Sequence, residues 1–228
     1  MKFSEVSVDA LTFGPYERRK IDLTGPTRFQ IPKLYMPFGL SGFKGDYGPM
    51  KWNVDFALKG HLEEGSQTAK FLSFMKSLEA RVIQHVADNS EQIFGRPMHF
   101  DSVAQMFNSN IKESNQGYEP KFRVKVDTDP TTNFIKPRIF DSNEVDVTSE
   151  ATDKLHSRQN GVAIVELTSV YFMNRMFGLT WKLHQLKVSP PKSRGAPASS
   201  PVQDPDPVET IERGGGAASG LTGFQFNV

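Results

Sequence analysis

The strongest constraint on this chain is an alternation of apolar and polar residues with a period of two. Along residues 51–59, Trp52, Val54, Phe56 and Leu58 fall on one face and Asn53, Asp55, Ala57 and Lys59 on the other, the pattern of a strand with one side in a core. The same period returns in Lys121–Val126 and in two longer neighbouring runs, residues 161–172 and 178–188. Residues 16–23 and 28–40 also read as extended, with Gly25-Pro26 as a turn between them and Pro32 and Pro37 as marks of an edge or a bulge. Shorter strands are expected at residues 133–140 and 144–147.

One helix interrupts this β-rich body. Phe71, Met75, Leu78, Val82 and Val86 recur at helical spacing behind Ser66, a good N-cap residue, and predict a helix over 67–87. A weaker helical stretch is expected over 101–108, with Val103, Ala104 and Phe107 on one face. The loop 39–49 carries Gly39, Gly42, Gly45 and Gly48 beside Phe43 and Tyr47, and is expected to be mobile.

From residue 189 the periodicity stops. Pro, Gly, Ser and Ala dominate residues 189–220, a composition that cannot bury enough surface to offset the entropy of ordering. The chain therefore divides into a body of residues 1–188 and a tail of residues 189–228, expected to be a flexible linker with an apolar end. Leu221, Phe224 and Phe226 in that end are candidate contacts to a partner protein.

Composition narrows the function. The 228 residues include no Cys, which removes disulfides and thiolate metal sites, and no run of about 18 apolar residues that would span a membrane. A soluble protein that is not secreted is expected. The formal net charge is only +1, so attraction to nucleic acid would have to come from local patches. The 18 Phe residues exceed ordinary usage; most are expected in the core, with some free to stack on a ligand.

The candidate patch lies in the later strands. In Lys121–Val126 the alternation sets Lys121, Arg123 and Lys125 on the face opposite Phe122, Val124 and Val126. The next segment carries Phe134, Lys136, Arg138 and Phe140 on a single face. Cations that track phosphates, interleaved with rings that stack on bases, are what single-stranded nucleic acid requires. Arg18, Arg19 and Lys20 form a basic triplet, and Arg18 and Arg19 join the phosphate candidates. Phe134, Phe140, Phe43 and Tyr47 are the stacking candidates. Trp52 and Trp181 read as core.

Enzyme chemistry finds little support. His61, His85, His99, His156 and His184 show no metal-binding spacing, and there is no phosphate loop of the GxxxxGK type followed by Ser or Thr. Asp127, Asp129, Asp141, Glu144 and Asp146 carry the oxygen donors of a magnesium nuclease, yet their setting around Pro130 and Ser142-Asn143 fits turns better. No catalytic residue, metal or cofactor is expected.

The order of strands and helix, the KFRVKV strand, the segment VYFMNRMFGLTWKLHQLKV and the terminal GFQF resemble viral and phage-type single-stranded DNA-binding proteins with an OB-fold, including an often uncharacterised family of the nucleocytoplasmic large DNA viruses. The resemblance covers roughly residues 15–188. It implies an antiparallel OB-type barrel with an inserted helix. It also implies sequence-independent binding and protection of single-stranded DNA, with RNA as an alternative ligand, during viral replication, recombination or repair in the host cytoplasm or nucleus. Oligomers and replication proteins are the implied partners, the latter through the tail. The tail departs from the family's acidic, aromatic-capped end: Asp204, Asp206, Glu209 and Glu212 are spread out, and Arg213 stands among them. The competing reading is a structural or adaptor protein, such as a virion component, whose aromatic surfaces bind protein.

Overall fold

The computed structural model describes residues 1–45, 50–113, 117–132, 134–150 and 155–189. Tyr47 of the glycine-rich loop and the tail residues Leu221, Phe224 and Phe226 lie outside the described residues.

In chain order the strands and helices are β1 (Thr12–Glu17), β2 (Lys20–Thr24), β3 (Arg28–Gln30), β4 (Leu34–Met36), β5 (Leu40–Phe43), β6 (Lys51–Ala57), α1 (Gln67–Asp88), α2 (Ser90–Phe94), α3 (Phe100–Ala104), β7 (Phe107–Asn108), β8 (Ile111–Lys112), β9 (Lys121–Val126), β10 (Arg138–Phe140), β11 (Gln159–Met173) and β12 (Met176–Ser189). Five of them close on themselves: β11 pairs with β4, β4 with β6, β6 with β9, β9 with β12, and β12 with β11 again. Numbered along the chain as first to fifth, these strands run 1-2-3-5-4 around the ring. The third and fifth meet in parallel at Lys125 opposite Lys182, and the other contacts are antiparallel. This is the five-stranded Greek-key barrel of the OB-fold.

The long β11–β12 hairpin supplies two barrel walls and extends beyond them, where β2 and β3 also pair with β11. Two hairpin turns of the same kind end side by side at this extension. Glu17 faces Lys20 across Arg18 and Arg19, both with φ near the left-handed region (49° and 61°). Met173 likewise faces Met176 across Asn174 and Arg175, with φ of 52° and 64°. Such two-residue turns match strand twist, but favour Asn and Gly. A side chain in the left-handed region costs about 1–2 kcal/mol.

The barrel is filled by aromatic contacts that close into a ring. Phe3 touches Phe71 of α1, Phe71 touches Phe122 of β9, and Phe122 touches Trp181 of β12. Trp181 then meets Phe29, Phe29 meets Phe74, and Phe74 returns to Phe3, with all centroid separations between 5.3 and 5.9 Å. Tilted and edge-on pairs of this kind add about 0.5–1.5 kcal/mol each beyond area burial. Helix α1 enters between the second and third barrel strands and buries the expected stripe of Phe71, Met75, Leu78, Val82 and Val86. Among the described residues no helix is long and apolar enough to cross a membrane.

Several local expectations are corrected. The extended run over 28–40 is broken into β3, β4 and the start of β5, with Pro32 and Pro37 at the breaks. The helix expected over 101–108 stops at Ala104, because Phe107 and Asn108 pair instead with Phe177 and Gly178. Of the described residues in 134–140 only Arg138–Phe140 is a strand, and residues 144–147 contribute one bridge, Phe140 to Asp146. The loop expected to be mobile opens with a strand, β5. Gly39 (φ +62°) sits where a Cβ would run into the Leu155 carbonyl, the Leu40 amide donates to that carbonyl, and β5 zips onto β6.

Candidate nucleic-acid interface

Period-two alternation puts Phe122, Val124 and Val126 into the barrel, so Lys121, Arg123 and Lys125 stand on the outer face of β9 as expected. The pairing register then sets Asn53, Asp55 and Ala57 of β6 beside them. The three cations do not behave alike. Arg123 donates two hydrogen bonds, of 2.8 and 2.9 Å, to the Asp55 carboxylate, which is only 7% exposed, and the bond to Asp55 raises the guanidinium pKa. Lys125 and Lys182 both hold Asp127, at 2.8 and 2.6 Å; partial burial works against the Asp127 carboxylate, but these two ammonium groups keep it below its usual range. Lys121 has no carboxylate partner among the described residues. Its ammonium lies 5.0 Å from the centre of the Phe38 ring.

That contact opens onto a groove of about 1040 Å³ where the ends of β4 and β6 meet the starts of β9 and β11. Tyr35, Phe38 and Tyr118 supply rings, and Lys59, Lys121 and Arg158 supply cations. Tyr118 is 69% exposed and Phe38 47%, so both rings present area to solvent. Glu119 is the carboxylate in the lining, and it faces His61 at 3.2 Å. The outer face of the second and third OB strands, with the loop joining the first two, is where this fold takes oligonucleotides. Phe38 belongs to that loop and Lys121 to that face.

A second groove, of about 500 Å³, continues from Arg123 and Lys125 past Asn110 to Thr180 and Tyr171. Half-buried Trp52 lines it, so this ring, read as core, is partly open. Trp181 is buried as expected. At the edge of this region Lys112 bonds to Asn108 at 2.7 Å, and burial, reinforced by the charge of Arg123, lowers its pKa.

The remaining candidates divide. Phe43 is exposed at the end of β5, opposite Lys51 across the strand pair. Phe134 is exposed and Lys136 follows it in the loop after β9, tied by its amide to the Asp127 carbonyl. Phe140 is a correction: it is 7% exposed, because β10 lies against β12 with Phe140 opposite Lys187. Arg138 sits 5.1 Å from the Phe140 ring centre and binds Asp146 at 2.7 Å, so it is engaged within the fold. Arg18 and Arg19 lie on the hairpin extension, apart from the β6–β9 face. Two of the carboxylates read as turn formers act as such: Asp129 accepts from the Thr131 and Thr132 amides, and Asp141 from those of Asn143 and Val145.

Sequence reading missed Tyr35, Phe38, Tyr118, Lys59 and Arg158. Phe38 follows Pro37 and Tyr118 sits two residues before Pro120, so the available signal was an aromatic residue beside a chain-breaking proline at a strand end.

No protein-family model and no curated protein matches the chain. Among solved structures, it is similar to gp2.5, a single-stranded DNA-binding protein encoded by bacteriophage T7, with 14% identity, 75% of this chain and 90% of that one covered, and a TM-score of 0.45. It is also similar to the single-stranded DNA-binding protein of bacteriophage Enc34 in complex with single-stranded DNA, with 7% identity, 80% and 97% coverage, and a TM-score of 0.43. The resemblance to phage-type single-stranded DNA-binding proteins, expected from the sequence, is found among these structures.

Proposed function

We propose that this chain binds single-stranded DNA with little regard to base sequence, and shields it during replication, recombination or repair. The observation that carries the reading is the groove that brings Tyr35, Phe38 and Tyr118 together with Lys59, Lys121 and Arg158 at the nucleic-acid face of an OB barrel. Every base offers a ring face to stack on and every nucleotide a phosphate, so this combination favours single strands over duplexes whose bases are already stacked. The proposed role is binding without catalysis, and the fluorescence of a labelled oligonucleotide reads it directly.

Titration of the protein into a labelled single strand, with a duplex of the same length beside it, should show preference for the single strand. Affinity should fall as salt rises, because each phosphate contact releases counterions. The Phe38→Ala, Tyr118→Ala double variant should lose about 1–3 kcal/mol of binding per ring removed. Equal affinity for both nucleic acids would overturn the preference for single strands, and salt-independent binding favours the competing adaptor reading; stronger binding of an RNA of the same sequence would change the ligand while keeping the site.

A further inference from the structure

The two hairpin tips beyond the barrel carry Arg18, Arg19 and Arg175 at three of their four turn positions, and all four positions have positive φ. Asn tolerates that conformation; arginine gains nothing from it, and Gly would fit with less strain. Among the described residues no side-chain contact compensates. The three arginines are exposed and have no ion-pair partner among the described residues, whereas neighbouring Lys20 holds Asp22 at 2.6 Å.

The tips are neighbours in space. Lys20 pairs with Tyr171, and the Phe172 amide donates to the Arg19 carbonyl at 3.0 Å, so the β1–β2 turn lies against the end of the β11–β12 hairpin. Strands β1 and β2 lie outside the closed ring, which makes this a composite of a barrel hairpin and an added one. Its arginines lie beyond the Tyr171 end of the second groove. Tyr171 lines that groove and stands three residues before Asn174, about 10 Å at the rise of a strand.

We infer that Arg18, Arg19 and Arg175 form a second phosphate-binding site that holds a single strand after it leaves the barrel groove. The inference rests on the proposed binding of single-stranded DNA, and adds to it a requirement for length. A short oligonucleotide fills the barrel groove alone, and a longer one engages both sites. Exposed Met173 and Met176 flank Asn174 and Arg175 and give the tip an apolar surface beside its charge.

The test compares the whole chain with an Arg18→Asn, Arg19→Gly, Arg175→Gly variant, using oligothymidylates of about 4 and about 16 nucleotides, the limits of site size for one OB domain. The substitutions suit their turns, so the melting temperature should stay level or rise. The variant should bind the long strand about tenfold more weakly and the short strand as before. Its slope of log affinity against log salt for the long strand should flatten by about 2, for three lost phosphate contacts. An Arg18→Lys, Arg19→Lys, Arg175→Lys variant keeps the charges and should keep the slope, even if the turn substitutions disturb folding.

Unchanged long-strand affinity and slope in a wild-type chain that does bind would overturn the tip site and leave the barrel groove standing. Equal losses for both lengths would also overturn it, since the tip would then belong to the first site. Failure of the wild-type chain to bind either strand would overturn the function and the tip site together.

Discussion

Arg123 and Lys121 stand two residues apart on one strand face, yet they serve different ends. Arg123 neutralises a buried carboxylate, so Arg123→Ala leaves Asp55 charged and unpaired. That loss should cost about 2–3 kcal/mol in a urea melt, less than for a fully buried pair because the guanidinium is half exposed. Lys121→Ala removes a cation that, among the described residues, is held by the Phe38 ring, and stability should stay within about 0.5 kcal/mol while oligonucleotide affinity falls. A melt and a titration on the two variants should therefore give opposite profiles. The side-chain period alone reveals that both residues point outward. It says nothing of Asp55, 68 residues earlier, because cross-strand partners are set by register and not by local spacing. The same blindness explains Phe140: alternation places it with Arg138, but the parallel contact with β12 buries it.

Long elements were legible because their patterns repeat. Helix α1 shows its buried stripe over 22 residues, and its start is marked by Ser66, whose hydroxyl accepts from the Ala69 amide at 3.0 Å and donates to the Gly60 carbonyl at 2.8 Å. Ser66→Ala should cost about 1 kcal/mol, the usual value for an N-cap, measured as a shift in the denaturation midpoint with an unchanged slope. Strands β7 and β8, of two residues each, and β3 and β4, of three each, carry too few residues to show a period, and exist only because longer neighbours offer them a ladder. The groove inherits this problem. Phe38 and Tyr118 come from the connections between strands, where composition marks a bend but not what the bend faces. Arg175 lies in the connection between two runs that read as strands, and only the hairpin register brings it beside Arg18 and Arg19.

At the scale of the molecule, barrel closure depends on pairings between distant segments, so strand order was accessible from resemblance and not from periodicity. The charge state of the whole also follows from tertiary burial. His85, stacked on Phe13 at 3.9 Å, His156 and His184 are each shifted below 6.5, chiefly by burial, with Arg28 adding to the effect on His184. A depressed folded pKa means that their stabilisation is complete above the unfolded value of 6.5 and is lost as pH falls through the folded values. Glu79 runs the other way: burial raises its pKa from 4.5, so its contribution is present below that value and is lost as pH rises through the folded one. Thermal melts should therefore show stability declining as the pH drops below about 6.5, and His85→Gln should lessen the decline. β12 continues to Ser189, which pairs with Asn160, one residue past the expected boundary, and the sequence beyond is rich in Pro, Gly and Ser. A chain ending at Ser189 keeps every ladder contact of the barrel and should melt at an unchanged temperature with unchanged cooperativity. If the removed residues compete with DNA for the barrel, single-strand affinity will rise. If Leu221, Phe224 and Phe226 serve a partner protein, affinity will hold while that partner is lost. A lower or broadened melt would instead assign residues beyond 189 to the core and overturn the division of the chain into body and tail.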